Sequence, residues 1–335
     1  MGQRVTITDV ARHAGVSVAT VSKVLNGRYG VAQSTSAHVL EVIDDLGYES
    51  SLVARSLRSH RTHVLGILVA EFEPFSAEIL KGAASALADS GYELLAYTGG
   101  LQGRGAGWER RYLSRLSGTL IDGAVLVTPT VVEAGGDVPV VAIDPHTGPT
   151  GLPTVDSDNL RGAVLGTEHL LELGHRRIAF VGGRADLESS RLREQGFREA
   201  MAAAGVRVDE VLVRAGDYRK ESTREPVHEL LTLPDRPTAV FAANDLSAIA
   251  TIEVARELGL SVPEDVSVIG FDDIPESAQT EPPLTTVHQP IQQMGATAIG
   301  LLTALLDGGD VSEPHVRLPT SLVKRGSTAP VPARP

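Results

Sequence analysis

The sequence predicts a small all-α head followed by a two-lobed α/β body of doubly wound parallel sheets. Three observations carry that expectation. Over the first ~48 residues apolar positions recur at helical spacing, without a strand-like run among them. From Leu65 onward short apolar runs alternate with amphipathic segments, the pattern of parallel strands each covered by a helix. That alternation continues for about 260 residues, too long for one compact sheet, so it divides into two lobes.

In the head, Thr6 stands where it can cap a first helix, with Asp9 three residues on as its capping-box partner. Val10, Ala11 and Ala14 form the buried stripe of that helix, and Gly15 suits a tight inter-helix turn. Ser17 caps a second helix running from Val18 to Leu25, which Asn26-Gly27 stops. Val39, Val42, Ile43 and Leu46 mark a third. The second helix shows a slim outer face of Val18, Ala19 and Ser22, with Lys23 at its side. A helix that enters a DNA groove needs such a face, with phosphate-binding groups around it. The same spacing also fits an ordinary helical hairpin.

In the body, strands are expected at Leu65–Val69, Glu93–Tyr97, Ala124–Val127, Val140–Ile143, Ile178–Val181, Val211–Arg214, Val240–Ala243 and Val266–Gly270. Helices are expected at Ala77–Ser90, Leu160–Leu173, Arg191–Ala204 and Ser247–Leu258. Polar residues cluster just after these strands, where open α/β sheets bind ligands. Asp144 follows Val-Val-Ala-Ile, Asn244-Asp245 follows Val-Phe-Ala-Ala, and Asp272-Asp273 follows Val-Ile-Gly-Phe. Carboxylates and an amide suit the hydroxyls of a sugar. Each also suits a helix N-cap, and that structural role is assigned to Asp245 and Asp273.

Composition narrows the function classes. The net charge is −12, yet residues 1–63 carry seven Lys/Arg against five Asp/Glu, and the excess of acid lies beyond them. A mildly basic head on an acidic body fits a head on phosphate and a body held off it. There is no cysteine, hence no disulfide, thiolate nucleophile or Cys-ligated zinc. No apolar run is long enough to span a bilayer, and the N-terminus lacks a secretion-type apolar stretch, so the expected location is the cytoplasm, with the nucleoid. The Pro-rich residues 328–335 are expected to be disordered. The only Gly-dense loop, Gly99 to Gly107, lacks the order of a dinucleotide fingerprint, and P-loop, G-x-S-x-G and H-E-x-x-H motifs are absent. His169, Glu172 and His175 do not make a convincing metal set, because His175 follows the Leu-Gly end of its helix. Neither enzyme nor cofactor nor metal is expected.

The stretch from Val5 to Gly27, VTITDVARHAGVSVATVSKVLNG, resembles the head of the lactose/galactose repressor family, LacI/GalR. The likeness runs on through Leu46-Gly47-Tyr48, a hinge-like segment Leu52–Arg58, and nearly the whole chain to about Lys324. It implies a helix-turn-helix domain over residues 1–49, a hinge over 50–62 and a ligand-binding domain over 63–327. In that domain one lobe takes residues of about 63–157 and 290–318, and the other about 158–288 and 319–327. The implied protein is a homodimeric repressor of operator DNA, controlled by a small effector such as a sugar or oligosaccharide. A ligand-responsive activator or a non-repressing sugar sensor is the alternative.

By position, the resemblance places Val18 and Ala19 at base edges. It places Thr6, Ser17, Thr20, Ser22 and Asn26 where the family contacts the DNA backbone or supports the helix, and Leu57 where it wedges the minor groove; Lys23, at the side of the slim face, is expected to join the DNA contacts. It places Phe75, Asp144, Arg193, Tyr218, Asn244, Asp272 and Gln289 around the effector, with Tyr218 against an apolar ring face. Two departures stand out. Ala32 occupies the usual cap of the third helix, which Ser34 could replace, and Ser50-Ser51 stands where the family often has proline.

Overall fold

The computed structural model describes residues 5–25, 29–46, 61–88, 90–99, 107–130, 138–149, 151–309, 311 and 314–331. The chain forms two compact units, with the main division after Thr62.

The head holds three helices, α1 (Ile7–His13), α2 (Val18–Leu25) and α3 (Gln33–Leu46). Thr6 and Asp9 form a reciprocal capping box, Asp9 N–H donating to the Thr6 hydroxyl and Thr6 N–H to the Asp9 carboxylate. Gly15 then turns the chain at φ 64, a left-handed conformation that a side chain would strain. Ser17 accepts from the Thr20 N–H at the start of α2. The helices close on Val10, Ala11, Ala14, Val21 and Val39. Helix α3 begins directly after Ala32, whose carbonyl accepts from Ser36. Ser34 lies inside the helix and does not take the capping position, so α3 starts without a side-chain cap there.

The body holds two six-stranded sheets. The first is ordered β11-β5-β4-β3-β1-β2, from β1 (Val64–Val69), β2 (Glu93–Thr98), β3 (Gly123–Val127), β4 (Val140–Ile143), β5 (Thr154–Ser157) and β11 (His315–Leu318). The second is ordered β12-β10-β9-β8-β6-β7, from β6 (Ile178–Gly182), β7 (Val213–Ala215), β8 (Ala239–Ala242), β9 (Ser267–Asp272), β10 (Thr285–His288) and β12 (Ser321–Val323). All pairings are parallel except that of β10 with β12. In both sheets the strand order reverses once, between β1 and β3 and between β6 and β8.

Helices α4 (Pro74–Ala86), α5 (Trp108–Leu116) and α10 (Ile291–Leu306) belong to the first lobe. Helices α6 (Asn159–Glu172), α7 (Glu188–Ala203), α8 (Lys220–Leu231) and α9 (Asp245–Glu257) belong to the second. Strands β1, β3 and β4 are buried along their whole length, as near-continuous Val/Ile/Leu runs in a doubly covered sheet must be. The chain passes between lobes three times, at Ser157–Asn159, His288–Ile291 and Leu318–Ser321. Asp158 N–H donates to Leu318 O and the Thr320 hydroxyl to Asp158 O, so two of these crossings are joined directly.

Three expectations are corrected. The segment read as a disordered tail is ordered through Val331 and packs on the second lobe. Ala329 N–H donates to Ser267, Val331 N–H to Leu173 O, and Thr328 bonds the His169 ring. Proline here removes donors without removing acceptors, and polar groups of the second lobe meet the remaining backbone. His175 likewise bonds Thr238 and the Ala329 carbonyl, so both histidines serve packing. Asp245 does not cap α9. Asn244 does, accepting from Ser247 N–H, and buried Asp245 instead receives the Thr286 hydroxyl and Ile274 N–H. Asp273 is also structural, but it is held by His288 and Arg325 and caps no helix.

Candidate functional site

On the head, Val18, Ala19 and Lys23 are exposed on α2, and Thr20 and Ser22 are half-buried beside them. Val18 is 41% exposed, high for a β-branched apolar residue at a helix start. The Thr6 hydroxyl is engaged with Asp9, and that of Ser17 with Thr20, so both side chains support the helices they precede. Tyr29, which the sequence reading passed over, is fully exposed just past α2. Asn26 and Leu57 lie outside the described residues.

In the body, a cleft of about 130 Å³ opens between the lobes. Its walls are the residues that follow strand ends: Glu71 and Glu73 to Ser76 after β1, Asp144 and His146 after β4, Tyr218 after β7, Asn244 after β8 and Asp272 ending β9. An open sheet leaves a crevice where its strand order reverses, and here two such crevices face each other. Phe75, Asp144, Arg193, Tyr218, Asn244 and Asp272 all line this cleft. Gln289 does not, and sits behind Asp272.

Arg193 is the centre of the floor. It is 4% exposed, and its Nε donates to Asn159 at 2.8 Å while one terminal nitrogen donates to Ala243 O and to Asp272 Oδ1 at 3.3 Å. The guanidinium lies 3.8 Å from the Phe271 ring centre and 5.5 Å from that of Tyr218. Such stacking and fork-like bonding fix a buried cation in one pose. Asp272 also accepts from Gln289 Nε2 at 2.6 Å. Burial raises its pKa to about 6, although Arg193 and Gln289 favour the charged form.

Asp144 is held at φ 47 and reaches Ser189 of the other lobe, with burial raising its pKa. Tyr218 also has positive φ, and its ring covers Gly183, where an added Cβ would fall 2.1 Å from Tyr218 Cζ. Its hydroxyl is buried, and desolvation raises its pKa although Arg193 and Ser190 oppose the rise. Asn244 uses its oxygen to cap α9 and donates to the Tyr218 carbonyl. The sequence reading missed Glu73, His146 and Ser189, which line the same walls. Glu73 had a signal, since it follows β1 just before Pro74 opens a helix. Although Glu73 as a whole is exposed, desolvation of its carboxyl, reinforced by Asp272, raises its pKa to about 7.

Polar contacts span the cleft on two sides. Arg219 donates to Glu71 at 2.7 Å, and His146 Nδ1 lies 3.1 Å from Asp186. The lobes are therefore drawn together around the cavity.

A helical head with a slim exposed face and a two-lobed body with a polar cleft define a ligand-sensing nucleic-acid-binding regulator. The pattern of bacterial regulatory proteins of the lacI family matches residues 6–51, and that of a periplasmic binding protein-like domain matches residues 167–328. The transcriptional repressor PurR of Photobacterium profundum is 38% identical over 309 residues, covering 89% of this chain and 90% of that protein. The structure of the transcriptional regulator CelR–cellobiose complex is 36% identical with TM-score 0.72, covering 97% of this chain and 100% of that one. The lac repressor dimer bound to operator and an anti-inducer is 28% identical with TM-score 0.86, covering 98% of this chain and 100% of that one. This chain belongs to the LacI family of transcriptional regulators, which are not enzymes. No helix among the described residues is long and apolar enough to cross a membrane.

Proposed function

We propose that this protein is a cytoplasmic, homodimeric repressor that binds operator DNA through α2 and loses or gains that affinity when a small carbohydrate fills the cleft. The observation that supports it most is the convergence of Arg193, Asp144, Asp272, Tyr218 and Phe75 on one cavity, from separate strand ends of two lobes. Fixed carboxylates accept sugar hydroxyls, and aromatic walls meet apolar ring faces. About 130 Å³ holds on the order of ten waters, the scale of one sugar ring. The CelR structure holds cellobiose, and the lac repressor structure holds operator as a dimer, and both support the reading. The hinge residues Leu52–Arg58, with Leu57 as the minor-groove wedge, complete the proposal and lie outside the described residues.

The test is a gel shift of the purified protein on its own promoter DNA. A palindromic site should bind, with log affinity falling by about 0.9 per neutralised phosphate as log salt rises. Equal affinity for scrambled DNA would contradict the proposal.

A further inference from the structure

The charges on the cleft wall are unevenly matched. Among the described residues, three arginines line it, and each already has an acid partner. Arg219 pairs with Glu71 at 2.7 Å, Arg193 with Asp272 at 3.3 Å, and Arg184 with Asp186 through two bonds of 3.0 and 2.7 Å. His146 faces Asp186 as well. On the acid side the balance fails. Glu73 and Asp217 line the cavity, yet neither side chain has a hydrogen bond or ion pair with a described residue. Asp144 competes with Asp272 for the single charge of Arg193. The Glu73 carboxyl is near enough to feel both the charge of Asp272 and that of Arg219, so it belongs to the field of the cavity although the residue as a whole is exposed.

We propose that Glu73 is a charge-selecting residue of the effector cleft, one that turns away phosphorylated and carboxylated sugars and favours a ligand bearing a protonated amine. The inference rests on the carbohydrate reading above. An anion entering the cleft would meet the Glu73 and Asp217 carboxyls and would have to compete for an arginine with Glu71, Asp186 or Asp272, the last of which is buried and would lose its counter-charge. A neutral sugar meets neither gain nor loss from Glu73. A protonated amine beside Glu73 favours its ionised form, which desolvation and Asp272 oppose and which Arg219 alone supports.

The experiment is a charge series on one skeleton: glucosamine, glucose and glucose 6-phosphate, with ribose and ribose 5-phosphate beside them. Each is titrated against the full-length wild type, Glu73→Gln and Glu73→Lys near neutral pH, by calorimetry and thermal shift. For wild type, glucosamine should bind more tightly than glucose by up to about fivefold, the upper range of a partly exposed ion pair. The phosphates should bind more weakly than their parent sugars. Glu73→Gln should bring glucosamine and glucose together, and Glu73→Lys should reverse the order against glucose 6-phosphate. A phosphate that binds wild type as well as its parent sugar overturns the charge assignment. So does an amine preference that survives Glu73→Gln. Silence from every compound in all three proteins overturns the carbohydrate reading itself, a different failure that removes the ground beneath this one.

Discussion

Gln289 donates from Nε2 to Asp272 Oδ1 at 2.6 Å, and its own Oε1 accepts from the Ser157 hydroxyl at 2.5 Å. Gln289 and Ser157 stand at two of the three chain crossings between lobes, and Asp272 stands on the cleft floor. One amide thus joins the cavity to the segments about which the lobes turn. A ligand that draws on the Asp272 carboxylate pulls on both crossings. On the proposed reading, this geometry would couple occupancy to inter-lobe angle without a relay through the lobe cores.

Gln289→Leu keeps the bulk and removes both bonds. It leaves Ser157 and Asp272 buried with one partner fewer each, a cost of about 1–3 kcal/mol per unsatisfied group. Urea unfolding should register that loss. Calorimetry should show that sugar still binds, while the change in operator affinity on binding shrinks. An undiminished response would detach the crossings from the coupling.

Arg193→Ala should be far more damaging than Asp272→Asn. The first leaves Asp272 and Asp144 without their buried counter-charge and strips Asn159 and Ala243 of a donor. Breaking one side of a buried pair costs about 3–5 kcal/mol. The second keeps shape and retains a polar group against Gln289. Denaturation midpoints should therefore fall in the order wild type, Asp272→Asn, Arg193→Ala. Equal midpoints for the two variants would show that Arg193 is not the keystone of the floor.

Stability of the ligand-free protein should depend on pH through Asp272. Burial lifts its pKa from 3.8 to about 6. A carboxyl raised on folding holds its proton more tightly in the folded state, so its contribution is full below the unfolded pKa and is lost as pH rises through the folded one. Thermal midpoints should thus decline between roughly pH 4 and pH 6. Asp272→Asn should flatten part of that decline. Asp245 and Asp144, raised by burial in the same direction, keep the remainder, and Glu73, raised to about 7, extends the decline toward neutral pH. A variant with the wild-type slope would remove Asp272 from the cause.

Ala32→Ser should stabilise the head by about 1 kcal/mol, because α3 begins directly after a residue with no side chain able to cap it. Thermal unfolding of the full-length protein, followed by a probe on α3, checks this. No gain would mean that the cap position is already satisfied by another group.

Much of this architecture is legible in sequence because its strands are unbroken apolar runs. Val64–Val69 and Val140–Ile143 declare themselves, since both faces of a doubly wound sheet are covered. Strands β5 (TVDS), β10 (TTVH), β11 (HVRL) and β12 (SLV) do not, being short and polar. They flank the lobe crossings, where side chains bond one another more than they fill a core. Local pattern also mistook Asp245 for a cap. Only the fold shows that Asn244 stands at the helix start while Asp245 faces Thr286, forty-one residues onward. Motifs reached Asp144, Arg193 and Asp272 because each follows a readable strand or sits in a distinctive run. Glu73 carries only the weaker mark of its place between β1 and Pro74, Ser189 carries none, and the meeting of two lobes brings them to one cavity.

A ligand-controlled repressor built this way requires that the cleft and the head be energetically linked through the lobe crossings. The direct measurement is operator affinity with and without a sugar found to bind, in wild type and in Asp272→Asn at saturating sugar. Wild type should change its operator affinity by about tenfold or more, a coupling near 1.4 kcal/mol, and operator should change sugar affinity by the same factor. In Asp272→Asn that ratio should fall toward one. A sugar that binds the cleft yet leaves operator affinity unchanged in wild type, or a variant whose ratio matches wild type, would contradict the account.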